Sequence, residues 1–360
     1  MIISQHELDR WDLFASLDDS VKQEISEFFV FFVHSHGYGI LYKTSGDDVY
    51  GLGWNGKTTN LLGLSGDSYR SDRTTKPVRV QNLSGIFIKY FCVDEFVGAA
   101  LDSNGCICWW GNFDDDEKDD YERNIKLPEK IPSSHRFKKV SCGTHMIVGL
   151  TFKGEVFVWG RIFTISELHE GIQIRLGHLV SSLSCGGHHV AMLAENGQVY
   201  TWGDGSWGQR GYRNFLKCDE ILVRRVLLDD VVSVNCGVWC SYFLTRQGHV
   251  WACGQNIDLG VMEDSERDEE DDSIVSRPSK VNVPAPVIDL GVAWESELSI
   301  GAGQTANSLY IWGSTPVREV AVAAPLVEAF LGRATPHDQG LIRVNKELTR
   351  DAPSFGSKYD

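Results

Sequence analysis

The chain has 360 residues, 42% of them hydrophobic, 11% aromatic and 23% charged, enough apolar material for a sizeable core and too much for global disorder. Its 49 Asp+Glu against 34 Lys+Arg give a formal charge of −15, a field that repels phosphate backbones and disfavours broad nucleic-acid binding. The longest apolar run, Phe28 to Val33, has six residues, far below the roughly 20 that cross a bilayer.

The start, MIISQHELDR, lacks a basic region followed by an apolar one. Nine cysteines without a paired framework suit a reduced setting. The expected location is intracellular, cytoplasmic or nuclear, without membrane insertion. Ser16 to Phe29 places capping residues ahead of Val21, Ile25 and Phe28 at helical spacing, which predicts a short amphipathic helix packed with Trp11, Leu13 and Phe14. Residues 1–27 are read as this N-terminal segment.

From there the chain repeats itself. VSCGTHMIVGLTFKGEVFVWG (Val140 to Gly160) and LSCGGHHVAMLAENGQVYTWG (Leu183 to Gly203) align without a gap, and VNCGVWCSYFLTRQGHVWACG (Val234 to Gly254) is a third copy. Weaker copies end at Gly53, Gly111 and Gly313, making six. Each copy reads as three short strands, rich in β-branched and aromatic residues, the last two joined by a turn dipeptide such as Ser45-Gly46, Asn104-Gly105 or Asn196-Gly197. Glycine there supplies the positive φ of a two-residue hairpin, as at Gly197. Cys142, Gly143 and His145, then Cys185, Gly186 and His188, then Cys236 and Gly237, recur in one local context. The closures Trp159-Gly160, Trp202-Gly203, Gly254 and Trp312-Gly313 recur in another, so both sets are structural repeat residues. The fold class is all-β, a propeller of about seven blades over residues 28–330, with the seventh drawn from 314–345.

Cys-Gly-x-His, a turn glycine and a closing Trp-Gly resemble the repeat of the regulator of chromosome condensation family, whose fold is a seven-bladed propeller. Asp204 to Gly211, DGSWGQRG, is similar to that family's loop after the closure. The flanks of the repeats look similar to those of members that couple the propeller to a BTB domain, although no BTB domain is readable in the 360 residues. The resemblance implies a non-catalytic protein-interaction module, an adaptor or scaffold in ubiquitin-linked assembly or trafficking. The alternative it implies is a guanine-nucleotide exchange factor for a Ran-like small GTPase.

Two acidic runs follow blade closures: residues 114–120 (Asp114, Asp115, Asp116, Glu117, Asp119 and Asp120 around one lysine) and 263–272, which ends in Glu269, Glu270, Asp271 and Asp272. They hold twelve of the fifteen excess negative charges. With Asp204 and Trp207 they are candidate partner-binding loops for a protein with a basic surface. Residues 331–360 read as a polar, disordered tail. His145 and His188 give way to Trp239 in the third copy, as no metal ligand or proton shuttle would, so they are read as structural histidines bonded within their own blades. Searches for phosphate-cradling loops, HExxH and GxSxG are read as negative, and no catalytic residue, cofactor or metal is expected.

Overall fold

In the computed structural model, residues 1–33, 36–113, 125–162, 165–212, 222–255, 259–261, 273–295, 298–313, 316–322, 324–331, 333–336 and 340–346 are described. Both acidic runs lie outside them, and with them Asp114, Asp115, Asp116, Glu117, Asp119, Asp120, Glu269, Glu270, Asp271 and Asp272.

The readable repeats form six sheets among the described residues. Blade 1 contains Ile25–Val33, Gly37–Thr44, Val49–Trp54 and Arg73–Arg79, and blade 2 Ile88–Val93, Val97–Asp102, Ile107–Asn112 and Ile125–Lys130. Blade 3 comprises Phe137–Gly143, Met146–Thr151, Val156–Ile162 and Ile165–Ile174. Blade 4 comprises Val180–Cys185, His189–Ala194, Val199–Gly203 and Arg224–Arg225. Blade 5 holds Val231–Cys236, Cys240–Thr245, Val250–Gln255 and Ile274–Lys280, and blade 6 Val287–Glu295, Leu298–Thr305, Ser308–Trp312 and Arg318–Val322. Within each, consecutive strands pair antiparallel. The first strand of each blade touches the first strand of the next, and blade 6 meets blade 1, so the ring closes at six.

Six blades, and not about seven, is a correction with a physical cause. The stretch that was to supply a seventh is divided among existing seams. Arg318–Val322 is the outer strand of blade 6, and the 3-10 turn Leu326–Phe330 is a wedge between blades 6 and 1. Ile342–Asn345 joins the sheet of blade 1, antiparallel to Ile25–Val33 and parallel to Ile2–Ser4. The tail therefore does not begin at 331: Leu341, Ile342 and Val344 are buried.

The expected helix is also shorter. Asp12–Ala15 and Asp19–Glu24 are helical, but Ile25 and Phe28 lie on the first strand of blade 1, where the aromatic and β-branched run pairs with Gly37–Thr44. Trp11 and Phe14 meet Phe28 edge-to-face at 5.1 and 5.0 Å, and the Trp11 indole donates to the Arg333 carbonyl at 2.7 Å.

The core is a set of seams. Trp110, buried in blade 2, packs with Leu41 and Leu62 of blade 1 and donates its indole N–H to the Leu61 carbonyl at 2.8 Å. Cys92 and Trp109 meet Val140, Cys142 and Trp159 between blades 2 and 3, while Val158 meets Leu183 and Trp202 between 3 and 4. Ala191 and Val199 meet Val234 and Phe243, and Tyr242 meets Leu290 and Trp312, at the next two seams. The Ser-Cys pair of the repeat links inner strands across these seams. Ser141 Oγ accepts from the Cys185 amide at 3.2 Å, and Ser184 Oγ from the Cys236 amide at 2.8 Å. A buried backbone amide is thereby paired where one sheet faces the next.

Two glycine positions explain the repeat. Closing Gly160 has φ 104°, and a Cβ there would fall well inside contact distance of the His145 carbonyl oxygen. Gly53, Gly111, Gly203, Gly254 and Gly313 also have positive φ and face the equivalent carbonyl. The hairpin glycines differ from expectation. Ala194 N–H bonds the Gln198 carbonyl at 2.8 Å and Gly197 N–H the Ala194 carbonyl at 3.0 Å, a three-residue loop with Gly197 left-handed at φ 80°. In the first copy Asp47, and not Gly46, takes the left-handed position, at φ 64°.

Candidate functional site

Strand alternation puts the connections between strands one and two, and between strands three and four, on a single face of every blade. Both acidic runs branch from this face in sequence, after Phe113 and after Gln255. Around the channel mouth, the residue immediately before each second strand is His36, Phe96, His145, His188 and Trp239 in blades 1 to 5. These are imidazoles or aromatic rings throughout. Extending the His145, His188 and Trp239 column, fifteen residues before each closing glycine, to the two weak early copies gives Phe96 and Tyr38; His36 stands two residues ahead of the column.

The ring residues reach across blades. Phe96 of blade 2 stacks on His145 of blade 3 at 4.1 Å, and His145 Nδ1 lies 3.4 Å from the Asn112 carbonyl, again in blade 2. His188 of blade 4 lies 5.3 Å from Trp239 of blade 5, and Trp239 is 6.4 Å from Trp207. The histidines expected to bond within their own blades thus find ring or carbonyl partners in the neighbour. From blade 3 to blade 6 the turns are also zipped by hydrogen bonds: Thr144 N–H to the Gly187 carbonyl (2.6 Å), Gly187 N–H to the Val238 carbonyl (3.0 Å), and Val238 N–H to Ser299 Oγ (3.0 Å).

Trp207 stands on a rigid loop. The Asp204 carboxylate, nearly buried, accepts from Ser206 N–H (3.0 Å), Ser206 Oγ (2.6 Å) and Gln209 Nε2 (3.1 Å), while Gln209 Oε1 accepts from Trp207 N–H at 2.9 Å. Asp204 is therefore internal to the loop, and Trp207, 36% exposed, is the group the loop presents. Beneath it the Gln209 carbonyl accepts from Ser241 Oγ at 2.8 Å, and Ser241 Oγ meets His189 Nε2 at 2.9 Å. His189 is wholly buried, and burial pushes its imidazole down to about 3. This Ser-His pair is closed to substrate and fastens blade 4 to blade 5.

Between blades 1 and 2 the face opens into a cleft of about 520 Å³ lined by Val33, His36, Trp54, Thr58, Glu95 and Phe96, with Lys57 and Asp72 at its edge. His36 stacks on Trp54 at 4.1 Å and 7°. Asp94, next to Glu95, is buried, its Oδ2 has no partner among the described residues, and burial and the Glu95 charge push its carboxyl well above the usual range. The strand and loop beside the cleft read GLGWNGKT, Gly51 to Thr58, which satisfies GxxxxGK[ST] and corrects the negative motif reading. The geometry is nonetheless not a phosphate cradle. Gly51 to Trp54 lie in a β-strand with no helix after the loop, and the Asn55, Gly56 and Lys57 amides already donate to the Asp72 carbonyl (2.8 and 3.1 Å) and carboxylate (3.1 Å).

Among the described residues no three His, Cys, Asp or Glu side chains gather as a metal site, and no helix is long and apolar enough to cross a membrane.

The regulator of chromosome condensation (RCC1) repeat model matches residues 180–209, the first three strands of blade 4 and the loop that carries Trp207. Protein pim1 of Schizosaccharomyces pombe is 29% identical over 257 residues, which take in 68% of this chain and 38% of pim1. The human E3 ubiquitin-protein ligase HERC2 is 28% identical over 218 residues, 56% of this chain and 4% of HERC2. The chain thus spans well under half the length of either relative. Among solved structures, Prp20p of Saccharomyces cerevisiae aligns with TM-score 0.62 and 18% identity over 87% of this chain and 84% of Prp20p. Human WBSCR16 aligns with TM-score 0.58 and 17% identity over 74% of this chain and 70% of its own. The chain carries RCC1-type repeats, built into an RCC1-like all-β propeller of six blades.

Proposed function

We propose that the chain is a non-catalytic protein-interaction module, an adaptor or scaffold whose partner seats on the face that carries Trp207 and Trp239. The observation behind this reading is the Trp207 loop. Its polar groups are spent internally on Asp204 and Gln209, leaving an indole about one third exposed on a rigid base beside a second tryptophan. Preorganised aromatic anchors of this kind are what dominate binding energy at protein interfaces. The acidic runs 114–120 and 263–272 leave the same face in sequence and favour a partner with a basic surface, raising its association rate at low salt. The likeness to HERC2 supports a ubiquitin-linked assembly, the resemblance to BTB-coupled members points the same way, and the proposed setting is the cytoplasm or nucleus.

The test is affinity purification with the full chain, its Trp207→Ala/Trp239→Ala variant, and a control changed on the opposite face at Phe152. Partners lost with the double variant but kept by the control, at unchanged Tm, support the reading. Equal recovery from all three removes it. The second reading, nucleotide exchange on a Ran-like small GTPase, is favoured by the likeness to Prp20p, reported with its binding properties to Gsp1p and histones. Fluorescent-nucleotide release accelerated about tenfold or more by catalytic amounts of protein would establish it, since exchange requires preference for the nucleotide-free state.

A further inference from the structure

We propose that Cys92 and Cys142 are a redox modification site: with a low-molecular disulfide such as oxidised glutathione, the two thiols close into a disulfide that staples blade 2 to blade 3. The inference goes beyond the interaction-module reading and stands whether or not a partner seats on Trp207 and Trp239.

It starts from a break in the repeat. The first strands of blades 3, 4 and 5 read Val-Ser-Cys, Leu-Ser-Cys and Val-Asn-Cys at 140–142, 183–185 and 234–236. Register places Phe91, Cys92 and Val93 of blade 2 at the same three positions, because Cys92 pairs with Ala99 as Ser141 pairs with Val148 and Ser184 with Ala191. Blade 2 therefore carries a thiol where the next two blades carry a hydroxyl. That position looks across the seam: Ser141 and Ser184 use it to reach the Cys185 and Cys236 amides of the following blade. In blade 2 the same direction leads to Cys142. The two sulfurs are 2.7 Å apart, and Cys142 Sγ lies 3.4 Å from the Cys92 carbonyl, as Cys236 Sγ lies 3.4 Å from the Ser184 carbonyl. Both cysteines are wholly buried on inner strands that touch. A sulfur–sulfur bond is about 2.05 Å long, so bonding this pair asks for a closer approach of well under about 1 Å.

The step balances with the oxidant named. One protein thiolate attacks glutathione disulfide, whose S–S bond breaks; one glutathione leaves as a thiol and the other stays on the protein. The second protein thiolate attacks that mixed disulfide and releases the second glutathione. Two protein thiols thus lose two protons and two electrons, and one glutathione disulfide becomes two thiols. Burial and the adjoining Cys92 sulfur push the Cys142 thiol well above its usual range, so thiolate is scarce in the closed ring. Exchange therefore runs through opening of the seam. The bond forms as the chain folds and is then shielded, and a reductant needs the same opening. Cys92 and Cys142 stand four and three residues before Phe96 and His145, whose rings stack at 4.1 Å, so the link braces the two turns that form this part of the channel mouth.

The experiment unfolds the full chain and refolds it either in dithiothreitol or in mixed reduced and oxidised glutathione, then blocks free thiols and digests without reductant. From glutathione, the expected product is a peptide pair joined through Cys92 and Cys142, lighter by two hydrogens than the separate peptides and absent from the dithiothreitol sample. The link spans 50 residues of chain, so the oxidised protein should melt about 5 °C higher than the reduced one. Cys92→Ser, which installs the residue that blades 3 and 4 use, should fold and lose both the joined peptide and the difference in Tm. Ser184→Cys should gain a second link, to Cys236 across the seam between blades 4 and 5. Full alkylation of Cys92 and Cys142 after refolding in glutathione, or joined peptides through other cysteines with these two free, overturns the staple. So does an oxidised parent that melts no higher than its reduced form. The peptide map of the parent decides the matter even where a variant folds poorly, and either result leaves the affinity-purification test of Trp207 and Trp239 untouched.

Discussion

The seam between blades 4 and 5 and the seam between blades 6 and 1 do the same job with opposite chemistry. At the first, every joining group belongs to the repeat or to its loop: Ser184 to the Cys236 amide, His189 to Ser241, Ser241 to the Gln209 carbonyl. At the second, Ala293 and Ala302 leave a gap that Leu326, Ala329 and Phe330 fill from outside any repeat. Thr335 then clips to Val30, its N–H to the Val30 carbonyl at 2.8 Å and its Oγ1 accepting the Val30 amide at 2.9 Å, across 305 residues of chain. A repeat can encode the joint between neighbours. It cannot encode where the ring ends, because that joint must bring the two chain ends together and fit whatever angle is left.

The largest expected effect breaks the closing seam. Phe330 is wholly buried in the wedge, so Phe330→Ala should cost about 3–5 kcal/mol and open the ring near blade 1. Chemical denaturation gives the magnitude and limited proteolysis the place. A loss below about 1 kcal/mol would mean that the wedge does not close the ring.

Next come the closing glycines, which differ between the two seams. A Cβ on Gly203 of blade 4 would fall well inside contact of the His188 carbonyl, whereas on Gly313 of blade 6 it would lie 2.8 Å from the Ser299 carbonyl. Both have positive φ, so Gly203→Ala is expected at about 3 kcal/mol and Gly313→Ala at about half that. Gly197→Ala, with left-handed φ but only ordinary contacts, should cost about 1 kcal/mol. Equal losses at the three positions would show that backbone conformation alone, and not the approach to the turn, sets the penalty.

This contrast also marks what was legible. The six closing glycines are visible in sequence because the same steric demand recurs six times, at 53, 111, 160, 203, 254 and 313. The demand itself, a carbonyl fourteen or fifteen residues back, is not a local property and is visible only in the fold. The helix over Ser16 to Phe29 was overextended because Ile25 and Phe28, three apart, fit a helix face as well as a buried strand. Blade number is not legible, because closure lies in Leu326–Phe330 and Ile342–Asn345, which resemble nothing else in the chain. At the candidate site, Trp207 was readable from its loop, but His36, Trp54 and Phe96 meet only because blades 1 and 2 are neighbours.

The polar seam should be acid-sensitive where the apolar seam is not. His189 is neutral in the fold with its imidazole lowered to about 3, while the unfolded chain protonates near 6.5. Its contribution is therefore complete above pH 6.5 and is lost as pH falls towards 3, on the order of 2 kcal/mol by pH 5. His189→Gln should flatten that part of the stability profile, measured by urea denaturation from pH 7 to 4. An unchanged slope would mean that burial does not hold the ring neutral.

The smallest effect lies at Asp94, in the turn between the first two strands of blade 2. Its raised carboxyl means that folding favours the protonated form, so the site is accommodated below the unfolded aspartate range near 4 and becomes a burden as pH rises above it. Asp94→Asn removes the charge and keeps an oxygen to accept the Glu95 amide. At pH 7 the variant should therefore melt slightly higher than the parent, on the order of 1–2 °C, and the gain should shrink as pH falls towards 4. The opposite substitution for His189, on the same pH scale, gives a gain that grows as pH falls. A pair of variants with opposite pH slopes would show that these two buried groups carry opposite electrostatic defects. If Asp94→Asn is instead destabilising at pH 7, the Asp94 carboxylate is ionised and held by a partner.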